Sequence, residues 1–271
     1  MTTTPVTLGQ RDDFTADCAS CFGLCCTALA FARSADFAFD KVAGDPCVHL
    51  EPDYRCEIHP QLRERGFKGC TVFDCFGAGQ KVSQQTFAGR SWRDDEPTRI
   101  AMFATFPLVR QLQELLWYIR EASGLPIAPD LRARLEAEFA EVEILTLLTA
   151  DQLGDVHERF DSVRPLLVEA SAAARSRYGP GPEPFPNDLV GATLSNIDLR
   201  GADLRGRLLI GADLRGSDLR GADLIGADLR DARLAGADLS ETIYLTQVQV
   251  NSALGDLSTR LPDGLRAPTH W

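Results

Sequence analysis

Eight cysteines carry most of the chemistry available to this sequence, and all lie before residue 76: Cys18, Cys21, Cys25, Cys26, Cys47, Cys56, Cys70 and Cys75. The first four form a Cys-x2-Cys-x3-Cys-Cys run, and the last four are widely spaced. Thiolates are soft anionic ligands, and several held together repel one another unless a cation or an iron–sulfur cluster offsets their charge. On a helix over 18–26, Cys18, Cys21 and Cys25 would share one face, and Cys26 would point elsewhere. Zinc sites made of cysteine favour paired Cys-x2-Cys knuckles, of which the run contains one. The uneven spacing suits an iron–sulfur cluster equally well. Two zinc ions with four thiolates each, or one cluster with cysteines to spare, both fit the count, so all eight are candidate ligands. His49 and His59 stand close to Cys47 and Cys56 in the chain and are either ligands, donors to ligands or ordinary packing residues.

Compartment decides whether such thiols stay reduced. The segment Met1–Pro5 has neither the basic nor the apolar part of a secretory leader, so a cytoplasmic location is expected. There, clustered cysteines point to metal or redox chemistry rather than to disulfides. The longest apolar run, around Cys21–Phe31, is too short to span a bilayer. The charge balance is 28 basic against 39 acidic residues, a net of -11, which argues against direct binding to nucleic-acid phosphates or anionic membranes.

Around the cysteines the chain divides by composition. Residues 10–90 form the expected cysteine-rich metal-binding module. Residues 91–178 read as a central α-helical bundle, because apolar residues recur at helical spacing in three stretches. Leu108, Leu112, Leu115, Leu116 and Ile119 form the first stripe, stopped by Gly124 and Pro126. Leu131, Leu135, Phe139, Val142 and Leu145 form the second, and Leu153, Val156, Phe160, Val163 and Leu167 the third. Asp94-Asp95-Glu96 complements the positive end of the first helix. Alternating prolines over 179–186 suggest a stiff linker. Gly77-Ala-Gly79-Gln-Lys81, just after Cys75, reads as a turn and lacks the spacing of a phosphate-binding loop.

From Asn187 the period changes to five. Leucine stands at every fifth position from Leu189 to Leu239, with Ala usually two residues before it, Asp one before it and Arg often after it. Neither a helix nor a sheet has this period, and fixed-period self-similarity marks a repeat architecture. The motif resembles that of the pentapeptide-repeat family, Ala-(Asp/Asn)-Leu-X-X. That resemblance implies a right-handed quadrilateral β-helix over 187–241, with Leu inside, small Ala beside it and Asp and Arg outside. Residues 242–271 would supply a short C-terminal helical cap, with Leu245–Leu254 as its amphipathic helix. Val190, Leu208 and Ile210 occupy outward positions, so their face is expected to dock on the helical region or on a partner. Arg207 replaces an interior Ala and suggests a local bulge.

The cysteine spacing, with Asp45-Pro-Cys47, Arg55-Cys-Glu-Ile-His59, Cys70 and Phe73-Asp-Cys75, resembles the zinc- or iron-chelating family over residues 15–80. Some longer relatives there are flagellin lysine-methylase-like. Arg65-Gly66 departs from that family's usual Arg-Pro, and no Gly-rich cofactor loop carries the methylase role over. The expected fold is therefore mixed: metal module, helical bundle, β-helix and cap. The expected function is a cytoplasmic, non-enzymatic interaction or regulatory protein with an iron–sulfur or zinc centre. Its partner would be another protein met through the β-helix surface, and a homodimer is admitted. Two alternatives stay open: a metal-dependent redox sensor or protein-modifying enzyme, and a DNA mimic that binds DNA gyrase. The last needs a long acidic rod, whereas residues 187–241 carry 10 acidic and 7 basic residues.

Overall fold

The computed structural model describes residues 11–179 and 185–271. The segment Met1–Pro5 and most of the expected linker 179–186 therefore lie outside the described residues. The chain forms two compact units, one of residues 1–120 with 132–166, the other of residues 121–131 with 167–271. Seven α-helices occur among the described residues: α1 (Leu24–Thr27), α2 (Lys68–Val72), α3 (Ala78–Gln80), α4 (Glu96–Gly124), α5 (Pro129–Leu145), α6 (His157–Arg175) and α7 (Gln247–Ser252). None of them is long and apolar enough to cross a membrane.

The three apolar stripes account for the long helices. Leu112, Leu115, Leu116 and Ile119 of α4 are buried, as are Leu135, Phe139 and Val142 of α5. Asp95 caps α4, accepting a hydrogen bond from the Thr98 amide at 2.7 Å, which satisfies one of the amides a helix start leaves open. The third stripe is shorter as a helix than as a pattern, since Leu153 and Val156 precede α6. In the first unit, α4 contributes Met102, Phe106 and Val109 to a core shared with Leu24, Cys75, Ala78, Val82 and Trp92. A second small cluster there gathers Ile58, Leu62 and Phe67.

The expected helix over 18–26 does not form as one element. Cys18–Ser20 makes a single 3-10 turn, Gly23 adopts φ 66, and α1 starts only at Leu24. A left-handed residue cannot continue an α-helix, so the common face proposed for three of the thiols is lost.

The expected β-helix is also corrected. Among the described residues there is no β-strand and no sheet, and the pairing within 187–243 consists of isolated parallel bridges between residues 20 apart. Asp198 pairs with Asp218 and Asp218 with Asp238, for example. The reason lies inside each five-residue unit. Leu189 accepts a hydrogen bond from the Ala192 amide at 3.0 Å, closing a turn through Val190 and Gly191, and the same bond recurs along the segment. Glycines at the third corner of these turns, such as Gly201, Gly206 and Gly221, have φ between 64 and 70, the region where only glycine is unstrained. Each unit also sends amides across to the unit 20 residues away, as Gly211, Asp213 and Leu214 do to the carbonyls of Arg230, Ala192 and Arg233, but the turn every five residues leaves a single bridge per unit, and consecutive ladder positions never accumulate.

The periodic pattern nevertheless fixes what is inside. Every repeat leucine from Leu189 to Leu239 is buried, with Ala202, Ala212, Ala222, Ala232 and Ala237 beside them. Asp after Asp along the repeats accepts a hydrogen bond from the amide two residues on, and where that residue is Arg, as after Asp198, Asp203, Asp213, Asp218 and Asp228, it also grips the carboxylate; Arg200 Nε and Nη2 reach Asp198 at 2.9 and 2.7 Å. Arg207 produces no bulge. Leu208 keeps its bridges to Asp188 and Asp228, and the Arg207 guanidinium turns to Asn187. The tail helix is shorter than expected, confined to α7, where Thr246 and Gln249 form a reciprocal cap. Val250, Leu261, Leu265 and Trp271 pack on the end of the leucine core.

Within this second unit the repeats do meet a helix, but on another face. Ser171 of α6 donates to Asp223 at 2.5 Å, Arg175 donates to the Gly201 carbonyl at 3.2 Å, and Tyr244 donates to the Leu167 carbonyl at 3.1 Å. Val190 and Leu208 remain 55% and 43% exposed, so α6 does not cover that face. Glycine decides this: Gly201 and Gly221 leave room for Tyr178, whose ring carbon would stand 2.0 Å from a Cβ at 221.

Candidate functional site

All eight cysteines are free thiols. The αL glycine two residues after Cys21 turns the chain so that the amides of Gly23 and Leu24 face the Cys21 sulfur and favour its thiolate. The second such turn follows Cys75, where Gly77 has φ 79 and the amides of Gly79 and Gly77 face the Cys75 sulfur in the same way. The amide of Ile58 serves Cys56 in the same way. Cys25 and Cys26 lie with their sulfurs 3.9 Å apart.

Gly79 joins the first two turns. A Cβ there would stand 2.7 Å from the Cys21 sulfur and 3.8 Å from the Cys75 sulfur, so the two sulfurs flank a residue that has to be small. Trp92 holds the neighbouring backbone, donating from Nε1 to the Phe22 carbonyl at 2.8 Å. On the other side the Cys47 amide donates to the Cys26 carbonyl at 2.8 Å, and Cys56 bridges Leu50.

Burial governs the electrostatics. It pushes the Cys21 and Cys70 thiols up to about 12 and Cys18 up to about 11, and it raises Cys56 and Cys75 as well. Cys25 is raised first by its hydrogen bond with Cys26 and then by burial. Mutual repulsion adds to this: Cys25 and Cys75 act on both Cys18 and Cys21, whereas Cys25, Cys47 and Cys56 act on Cys70. Cys25 is thus the one thiol that acts on Cys18, Cys21, Cys56, Cys70 and Cys75 alike. Among the described residues, no three His, Cys, Asp or Glu side chains stand where they could already hold a metal ion.

The histidines fall outside this group. His49 pairs through Nδ1 with Glu57 at 2.6 Å and packs edge-on against Phe67, and His59 is exposed. A cation does approach. Lys41, only 6% exposed, donates to the carbonyls of Thr27, Leu29 and Val42 at 2.9, 2.5 and 3.1 Å. Burial lowers its pKa, and the charges of Cys47 and Cys26 oppose that.

Reading cysteines alone misses the amide donors and Lys41. Their signal was present: Cys-Phe-Gly occurs twice, at 21–23 and at 75–77, and lysine occurs only three times in the chain.

Known proteins place the chain as a whole. A family model described as pentapeptide repeats, in 8 copies, matches residues 208–243. The chain is 52% identical over 265 residues to the uncharacterized protein YybG of Bacillus subtilis (strain 168), an alignment covering 96% of this chain and 95% of YybG. A match of that identity and extent makes this chain a member of the same protein family as YybG, with pentapeptide repeats in its C-terminal part.

Proposed function

We propose that residues 10–90 hold a cysteine-ligated metal centre, zinc or iron–sulfur, and that the protein is a non-enzymatic interaction or regulatory module that displays its repeat surface to another protein. The observation that carries the metal reading is the set of backbone amides aimed at sulfur: Gly23 and Leu24 at Cys21, Gly79 and Gly77 at Cys75, and Ile58 at Cys56. An amide directed at a buried sulfur favours the thiolate, and hydrogen bonds to ligating sulfurs are a usual feature of such centres. Burial and repulsion work the other way and leave the thiols protonated when no cation is near. A bound cation resolves that conflict by offsetting the thiolate charge. The resemblance to the zinc- or iron-chelating family over residues 15–80 points the same way.

For the repeats, the interaction reading rests on a regular surface with Val190 and Leu208 exposed. The DNA-mimic reading fares worse, because the acidic side chains are individually gripped by arginine, as at Asp198, Asp213, Asp218 and Asp228. Paired carboxylates present little of the negative field that phosphates do.

The test is metal and acid-labile sulfide analysis, with a visible spectrum, on full-length protein purified without air. Stoichiometric zinc, or iron with sulfide and a broad visible band, is the expected result. Metal-free protein with a native helix content, and with no uptake of zinc or iron, would refute the reading.

A further inference from the structure

Cys25 and Cys26 are neighbours in the chain, and their sulfurs touch at 3.9 Å. Both residues are partly exposed, which admits a small solute. They belong to α1, a helix of four residues, and a helix that short has little stability of its own. The backbone beside the two thiols carries the contacts that hold the next loop. The Cys26 amide donates to the Gly23 carbonyl at 3.0 Å, and the Cys26 carbonyl accepts from the Cys47 amide at 2.8 Å. The Thr27 carbonyl accepts from the Gly44 amide at 2.9 Å and from Lys41 Nζ at 2.9 Å.

We propose that Cys25 and Cys26 form a reversible oxidation site for a peroxide, and that closing their disulfide frees the turn that holds Lys41, Gly44 and Cys47. One sulfur attacks a peroxide oxygen, the O–O bond breaks, and a sulfenic acid forms with release of water. The second sulfur attacks the first and expels the sulfenic oxygen as another water. Over both steps the thiols give up two protons and two electrons, and hydrogen peroxide becomes two waters. The bond needs the sulfurs at about 2.0 Å, a closure of about 1.9 Å from where they stand. Adjacent side chains on a helix point about 100° apart, so rotation of the side chains alone does not bring them together. Closure has to turn the peptide between the cysteines, whose N–H is the one bonded to Gly23, and α1 unwinds. Adjacent α-carbons stand about 3.8 Å apart, below the roughly 4.4–6.8 Å of ordinary disulfides, so the bridge is strained and easily reduced. Strained, exposed disulfides are the labile and regulatory ones. The site stands apart from the metal reading above, since it needs only these two thiols.

The experiment treats full-length protein, as purified and again after chelation, with one equivalent of hydrogen peroxide. Free thiols are counted, the linkage is located by tandem mass spectrometry, and amide hydrogen exchange is followed. Two of the eight thiols should disappear, with Cys25 joined to Cys26, and dithiothreitol should restore them. A Cys18→Ser, Cys21→Ser double variant should still lose two. Cys25→Ser and Cys26→Ser should each leave a single sulfenic acid that dimedone captures. The amides of Gly44 and Cys47 should exchange roughly tenfold faster in the oxidised protein. A disulfide from Cys25 or Cys26 to any other cysteine, loss of a thiol pair in Cys25→Ser, or no oxidation of the chelated protein overturns the site. Unchanged exchange at Gly44 and Cys47 overturns the release. A disulfide that forms only after chelation supports the site and places the pair at a bound metal, whereas the same result in protein free of metal supports it while the metal reading fails.

Discussion

Replacing Asp223 with Asn should make the second unit more stable at neutral pH. The Asp223 carboxyl is wholly buried on the face that meets α6. It accepts from Ser171 Oγ at 2.5 Å and from the Ile225 amide at 3.0 Å, and Arg205 Nε stands 3.6 Å away. Burial outweighs these partners and raises its pKa from 3.8 to about 6. Because the folded pKa is the higher, the folded chain holds a proton that the unfolded chain has released between about pH 4 and 6, and stability falls as pH rises through that window. At about 1.4 kcal/mol per tenfold change in proton affinity, the loss amounts to about 3 kcal/mol. Asparagine is neutral and nearly isosteric, and its amide can accept from Ile225 and donate to Ser171. The assay is urea unfolding of wild type and Asp223→Asn from pH 4 to 7. The variant should gain about 3 kcal/mol on wild type between pH 4 and 7, equivalent to about 6–12 °C in melting temperature. Parallel pH profiles, or a variant that loses ground as pH rises, would show that Ser171 and Arg205 hold the carboxylate ionised and that the argument from burial is wrong.

Two glycines test how the repeats meet Tyr178. Gly206→Ala meets nothing within 4 Å and should lose only the roughly 1–2 kcal/mol of a left-handed alanine, whereas Gly221→Ala, at φ 70, also drives its Cβ into the Tyr178 ring and should lose clearly more. Equal losses in urea unfolding would contradict that close approach. For the proposed metal centre, Gly79→Ala should weaken retention of the metal roughly 10–100-fold, because its methyl group would stand 2.7 Å from the Cys21 sulfur. Competition with a chelator reads this directly, and an unchanged affinity would remove Gly79 from the centre.

How much of this could be read from the residues depends on the range of the forces involved. The sequence alone determined which leucines of the repeats are buried, since Leu189 to Leu239 recur at one phase and a fixed phase leaves a side chain one environment. It also determined α4 and α5, whose stripes and stop signals are local. It carried the Cys-Phe-Gly pairs as well, although their meaning depends on where the amides point. Tertiary structure decided the rest. Val190 and Leu208 looked like the docking face by hydropathy, yet α6 docks where Gly201 and Gly221 leave space and Asp223 offers a buried acceptor, because close packing rewards fit more than apolar surface. The repeat backbone turns every five residues, so its cross-unit hydrogen bonds make single bridges rather than strands. Gly23 breaks the helix expected across Cys18–Cys26, and only the folded chain shows that this break carries the Gly23 and Leu24 amides to the Cys21 sulfur and brings Cys75 from more than 50 residues away to the other side of Gly79. Contacts between residues so distant in the chain depend on loop closure and burial, which no local spacing encodes.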